Sequence, residues 1–390
     1  MAELKNLTII SDDYPSEGRI VFVFVQQLVE ALVDKGIDVS VIAPQSIVRT
    51  IFRGVKLLPK QAKYTTAQGN DYRVYRPFSL TFGNGNKTLY KLAKSFNNKL
   101  INKCLQSISP QVVYGHFWHN AMKGMGYARK YGKPLFVACG EGDNSLDDWA
   151  KLLTGAKKRE IRDAVKGVIS VSSENKRRCL AYGIAKEDNV VVLPNCVNEN
   201  KFYPQDVTDF RCQLGASDTD FVISYTGAFI ERKGAIRLSK AIEILNDSTI
   251  KVIFSGRPMP GYEDKMMPQC KGIIHCGPVN HDDLPKYLCA SDVFVLPTLK
   301  EGCSNAIVEA LACGIPVISS DRSFNDDILN KDNSIRIDPE DVTSIAKAIK
   351  ELKDNRNYLE LLKEHTRANA QNHSIEKRAE KIINFIQSKI

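Results

Sequence analysis

Residues 291–320 read SDVFVLPTLKEGCSNAIVEALACGIPVISS, and this stretch decides the fold. Val293–Leu296 is a short apolar run, as in a parallel strand covered on both faces. Pro297 ends the run, and Gly302 lets the next loop turn tightly. Ser304 or Asn305 stands where it can cap a helix carried by Ala306–Ala312. Gly314 and Pro316 stop that helix, and Pro316–Ser319 starts a second buried strand. Glu301 and Glu309 lie eight positions apart across the loop and helix. The first N–H groups of a helix lack internal partners and carry the positive end of its dipole, which suits a diphosphate. Buried carboxylates are costly unless hydrogen-bonded, so two of them near one loop point to a polar ligand with hydroxyls. A sugar nucleotide has both features, with Glu301 beside its sugar and Glu309, deeper in the helix, within reach of its ribose.

The same alternation extends in both directions. Leu7–Ser11 reads as a first strand, Gln26–Lys35 has helical spacing ended by Gly36, and Val39–Ala43 is a second strand. Gln111–Tyr114, Pro134–Ala138, Gly167–Ser172 and Val190–Leu193 follow as strand candidates. At Pro194–Pro204, PNCVNENKFYP, turn residues take over, so a linker is expected over 196–205. A second series comprises Phe221–Thr226, Lys251–Ser255, Gly272–His275, the Val293 strand and Pro316–Ser319. Helical patterns cover Asp341–Asp354 and Ser374–Ile390. Strands alternating with helices predict an α/β chain with two doubly wound, Rossmann-like domains, 1–195 and 206–373, facing a cleft. Ligands in such sheets bind at the carboxyl ends of strands. Length, 390 residues, agrees with two domains.

Residues 291–320 resemble the E-x7-E region of retaining glycosyltransferases of family 4 with the GT-B fold, and the similarity runs along nearly the whole chain. The resemblance implies that Glu301 lies by the donor sugar and Glu309 binds the nucleotide ribose. It also implies that Gly302, Cys303, Ser304 and Asn305 border the donor, and that 374–390 form a helix crossing back to the first domain. Tyr225–Gly234, YTGAFIERKG, matches the family's G-x5-K-G: Gly227 permits a close turn and Lys233 balances the charge of the departing diphosphate. Here the chain departs from the pattern, because Ala228 stands where an Arg is usual; Arg232 is the candidate to compensate. IFSGRP, 253–258, resembles the strand end at the nucleotide base, with Gly256 for close approach and Arg257 as a base or phosphate contact. Gly277–Asn280, including Pro278, resembles the next loop, where backbone groups meet uracil.

In the first half, PSEGR, 15–19, fills the first βα loop, which in the family shapes the cleft; Glu17, Gly18 and Arg19 are its candidates. CGEGDNS, 139–145, occupies the place of H-G-x-D or R-G-x-D, yet holds no His. Glu141 or Asp143 then takes part of that role by orienting an acceptor hydroxyl, or the segment is only a polar turn. His116 and His119 are further cleft candidates; as a pair three apart without nearby cysteines they make a poor metal site. No metal is expected, in keeping with the family.

The charge is uneven. Residues 1–200 hold 29 of the 54 Lys+Arg and 18 of the 45 Asp+Glu, and residues 39–140 hold sixteen basic residues against one acid, Asp71. That bias points to an anionic partner. RTIFRGVKLLPK, 49–60, sets bases at 49, 53, 56 and 60 largely opposite Ile51, Phe52, Val55 and Leu58, a basic amphipathic pattern interrupted by Gly54 and Pro59. An anionic membrane surface fits it, whereas no nucleic-acid motif is present. MAELKNLTII does not read as a signal peptide, and no apolar run approaches the ~20 residues of a membrane span. The ten cysteines lack C-x-x-C spacing and read as reduced thiols in the cytoplasm. The expected activity is transfer of a hexose or N-acetylhexosamine from a nucleotide diphosphate sugar, a UDP-sugar by preference, to a lipid-diphosphate-linked saccharide in cell-surface polysaccharide assembly. The alternatives are a soluble transferase acting on a small anionic metabolite, and a sugar-nucleotide-binding protein without activity.

Overall fold

The computed structural model describes residues 3–16, 19, 21–81 and 87–390. The chain divides into two compact units, Met1–Leu193 with Glu376–Ile390, and Pro194–Ile375.

The first unit is built on a sheet whose strands are β1 (Asn6–Ile10), β2 (Asp38–Ile42), β4 (Gln61–Thr65), β5 (Asp71–Tyr75), β7 (Val112–His116), β8 (Leu135–Cys139), β9 (Val165–Ser170) and β10 (Val190–Val192). A short parallel pair, β3 (Gln45–Ser46) and β6 (Phe78–Ser79), lies apart. The order in the main sheet is β10-β9-β8-β7-β1-β2-β5-β4. All its neighbours pair in parallel except β4 and β5. β7 and β8 are buried over all five residues, because helices cover both faces and leave no solvent side for polar residues. Helix Ile375–Gln387 packs Phe385 edge-on against Phe136, with ring centroids 6.1 Å apart. Only a glycine fits beneath that pair: a Cβ at Gly167 would come within 2.7 Å of both rings.

β4 and β5 were not anticipated. Each alternates exposed polar with buried or half-buried residues, QAKYT and DYRVY, as an antiparallel edge pair does, so no continuous apolar run marks them. The 49–60 stretch breaks where Gly54 interrupts its pattern. The helix there covers only Ile47–Arg53. Gln45 ties Leu58 down through both its amide nitrogen and its carbonyl, at 2.9 Å each, so the chain beyond Gly54 runs as coil. Ile51 and Phe52 are exposed on that short helix; the side chains of Arg49 and Arg53 lie outside the described residues.

The second unit carries a parallel sheet of β11 (Phe221–Thr226), β12 (Ile250–Ser255), β13 (Ile273–Gly277), β14 (Val293–Leu296), β15 (Val317–Ser320) and β16 (Ser334–Ile337), in the order β13-β12-β11-β14-β15-β16. The direction of strand addition reverses between β11 and β14, and the carboxyl ends of those two strands flank the switch point where ligands bind in such sheets. Residues 196–205, expected as a linker, belong to this unit: Val197 exchanges backbone hydrogen bonds with His373 and Ile375, and Phe202 is buried. The apolar side chains of Val197 and Phe202 gain more from packing than an open linker allows. None of the ten cysteines forms a disulfide. Among the described residues no helix is long and apolar enough to cross a membrane.

Candidate active site

β14 ends at Leu296, and the chain turns through Pro297–Thr298 into the loop that holds Glu301. One turn of 3-10 helix, Glu231–Lys233, follows β11. The two loops are clamped by the backbone, since Leu299 donates to the Arg232 carbonyl at 2.8 Å. This brings Glu301, 8 % exposed, against two cations: Lys233 Nζ is 2.6 Å and Arg232 Nη1 3.1 Å from Glu301 Oε1. Thr298 donates its hydroxyl to the same oxygen at 2.8 Å. Oε1 therefore takes every contact, and Glu301 Oε2 has no protein partner among the described residues. Arg232, whose direction the sequence left open, faces Glu301, so Ala228 does not reduce the cluster to a single cation. The same negative charge, after burial itself, helps to hold the Tyr225 hydroxyl protonated.

Helix Asn305–Ala312 starts directly after this loop. Ser304 occupies the cap position, yet its side chain makes no capping bond and its hydroxyl is buried without a partner. Asn305 is held instead from the side, by Asn195 at 2.8 Å, and Asn195 also bonds the Cys303 carbonyl at 3.0 Å. Gly302, Cys303 and Ser304 are buried. Glu309 is buried on the helix, 3.2 Å from His281 Nε2. Lys201 Nζ stands 2.8 Å from His281 Nδ1. An ammonium can only donate, so Nδ1 accepts from Lys201 and the N–H of Nε2 donates to Glu309 Oε1. His281 and Lys201 were missed in the sequence; no motif links positions 201, 281 and 309.

Gly227 follows β11, and its N–H donates to the Ser255 carbonyl at 3.0 Å. Gly256 follows β12 so closely that a Cβ there would lie 1.9 Å from the Gly227 carbonyl oxygen. Both atoms in that contact belong to backbone, which cannot step aside. We expect Gly256→Ala to lose about 3 kcal/mol of stability in chemical denaturation; a change within about 0.5 kcal/mol would mean the two loops are not packed this way. Arg257 and Pro278 are exposed beside these loops.

The remaining candidates lie in the first unit. Glu17 and Gly18 lie outside the described residues. Arg19 pairs with Asp13. His116, at the end of β7, is buried between Phe24 and Phe117, and burial pulls its pKa down to about 3. It therefore stays neutral, with Nδ1 unpartnered. His119 is exposed and bonds Asp12. Glu141 is buried, and one carboxylate oxygen accepts from the Trp118 N–H at 2.8 Å, at the start of helix Trp118–Lys130. Its second oxygen has no partner, and burial raises its pKa. Asp143 accepts from the Ser145 N–H at 2.9 Å within an exposed turn. Among the described residues no cluster of three metal-ligating side chains occurs.

Two family profiles match this chain: Glycosyltransferase Family 4 over residues 21–201, and Glycosyl transferases group 1 over residues 206–373. The chain belongs to the family 4 glycosyltransferases of the GT-B fold. Among curated proteins this glycosyltransferase is 28 % identical over 346 residues to the putative teichuronic acid biosynthesis glycosyltransferase TuaC of Bacillus subtilis, covering 86 % of the chain and 84 % of that relative. It is also 28 % identical over 202 residues to the Escherichia coli UDP-Gal:alpha-D-GlcNAc-diphosphoundecaprenol alpha-1,3-galactosyltransferase, covering 48 % of the chain and 51 % of that relative. Among solved structures it resembles sucrose-phosphate synthase from Thermosynechococcus elongatus, with TM-score 0.77, 18 % identity and 98 % of each chain covered. It resembles Anabaena HepE in complex with UDP as well, with TM-score 0.72, 15 % identity, and 98 % and 100 % covered. At these identities the two structures speak for the fold, which the glycosyltransferase shares.

Proposed function

We propose that this glycosyltransferase is a retaining enzyme that moves a hexose or N-acetylhexosamine from a UDP-sugar to a lipid-linked saccharide, at the cytoplasmic face of a membrane, in cell-surface polysaccharide assembly. One observation carries the donor half: Glu301, Lys233 and Arg232 converge where β11 and β14 end, directly ahead of the helix that begins at Asn305. Lys233, Arg232 and the first amides of that helix meet the charge of the diphosphate as it leaves. With Oε1 committed to the cations, Oε2 of Glu301 is the atom left to accept a sugar hydroxyl. Glu309, oriented by His281, takes the ribose. The acceptor oxygen forms its bond to the anomeric carbon on the face from which the diphosphate departs, and the hydroxyl proton passes to the leaving phosphate oxygen. This reading requires no metal. The UDP complex of the HepE structure and the diphosphate-linked acceptor named for the Escherichia coli relative support the choice of donor and acceptor class.

Thermal and chemical unfolding with UDP, GDP and ADP test the donor. UDP at about 100 times its Kd is expected to add about 2.7 kcal/mol of stability, and the other two less at equal concentration. Stronger stabilisation by GDP or ADP would reject a UDP-sugar, and a product of inverted anomeric configuration would reject retention.

A further inference from the structure

The first unit holds a cavity of about 630 Å³ at the carboxyl ends of β1, β2 and β5, and among its lining residues are Asp12, Asp13, Arg19, Lys56, Arg76 and Lys123. These are its ionisable groups, four basic and two acidic. Lys123 lies 2.8 Å from Asp12, and Arg19 pairs with Asp13. Arg76 and Lys56 are left unmatched. Arg76 is 3 % exposed, and its guanidinium bonds the Tyr64 hydroxyl at 2.6 Å and lies over that ring. No carboxylate among the described residues pairs with it. A buried cation without an anion is costly in a folded chain, and a guanidinium presents a fork that matches phosphate.

A second cavity, about 310 Å³, adjoins the first and shares Thr81, Asn97 and Lys123 with it. Its character is different: Leu80, Ala93, Met122 and Trp149 form apolar walls. Asn97 stands at the boundary, fixed by two 2.8 Å bonds to the backbone of Leu80. Helix Lys87–Ile108 supplies both Ala93 and Asn97, and it exposes Leu89, Leu92 and Phe96, the latter two to 63 % and 44 %. These positions follow helical spacing and form one apolar stripe.

We propose that these two cavities bind an amphiphile: a phosphate-bearing head at Arg76 and Lys56 in the polar cavity, and a hydrocarbon chain along the apolar cavity onto the Leu89, Leu92 and Phe96 stripe. The inference rests on the reading of a lipid-linked acceptor and names where its lipid phosphate sits. The stripe is the surface that meets the bilayer from which the lipid is drawn.

The test uses the full chain and three kinds of vesicle: phosphatidylcholine alone, phosphatidylcholine with a polyprenyl diphosphate, and phosphatidylcholine with phosphatidylglycerol at equal surface charge. Flotation is expected to be strongest with the polyprenyl diphosphate. Equal binding to both anionic vesicles would overturn a specific head site. Arg76→Gln should abolish the preference for the diphosphate; should that variant not fold, Lys56→Gln, at an exposed position, must reduce it. Leu92→Glu with Phe96→Glu should weaken binding to the polyprenyl diphosphate vesicles about tenfold or more, and undiminished binding would reject the tail path. Inorganic pyrophosphate that competes as well as the lipid would also reject it. Sugar transfer to a polyprenyl-diphosphate-linked saccharide in detergent, measured in parallel, separates the two readings: a chain that makes this transfer but shows no lipid preference in flotation loses this inference alone.

Discussion

Glu301→Ala is expected to lower kcat/KM for sugar transfer by about three orders of magnitude, the scale of losing a group that organises charge around a developing anion. The loss has two sources. Alanine removes the oxygen left over for a sugar hydroxyl. It also leaves Lys233, mostly buried, without the carboxylate 2.6 Å away, while Arg232, which meets the same oxygen, adds a second uncompensated cation. Breaking a buried pair from one side is more costly than deleting both partners. The variant should therefore also unfold at lower denaturant, and Glu301→Gln should recover part of that stability, because the amide oxygen still accepts from Thr298, but little of the activity. The measurement is initial rate against donor concentration, with UDP stabilisation as the control for an intact nucleotide site. Activity within about tenfold of wild type would reject Glu301 as a group acting on the reacting sugar.

Lys233→Met is expected to reduce kcat by about 10²- to 10³-fold with a smaller change in KM, because the charge it meets develops as the bond to phosphate breaks. Methionine keeps most of the length and the apolar character of the stem and removes the charge with its N–H donors. Lys233→Arg is not expected to restore the rate: the site fits a compact ammonium beside Arg232, and a second planar fork does not match that contact. Combining Lys233→Met with Glu301→Gln should show a coupling of about 1–3 kcal/mol, as for residues in one ion network. Additive losses would indicate that the two side chains act separately. If KM rises and kcat is unchanged, Lys233 contributes only uniform binding, equal in the ground state and the transition state.

How much of this was legible beforehand depended on range. Val293–Leu296, Pro297, Gly302 and the helix after Ser304 announce themselves within one short window, because strand and helix periodicities are local. So do the places of Glu301 and Glu309, and the cation at Lys233. The edge pair β4 and β5 escaped because charged residues alternate with half-buried ones, whereas the break in the amphipathic stretch after Val48 is marked in the sequence by Gly54, where the backbone helix ends although side-chain periodicity continues. His281 gave no signal at all: nothing in its neighbours predicts a bond to a carboxylate 28 residues away.

The amino-acid order by itself determined two doubly wound units and the types of charge carried by the second unit's loops. It also determined the excess of bases in the first half, since each of these follows from local pattern and composition. Tertiary structure alone decided which oxygen of Glu301 is occupied, which way Arg232 turns, that His281 presents the N–H of Nε2 to Glu309, and that Arg76 is buried with no carboxylate partner among the described residues. The reason is that the energy of a charge depends on which groups lie within a few ångströms and on how much water is excluded, and both are set by segments distant in the chain.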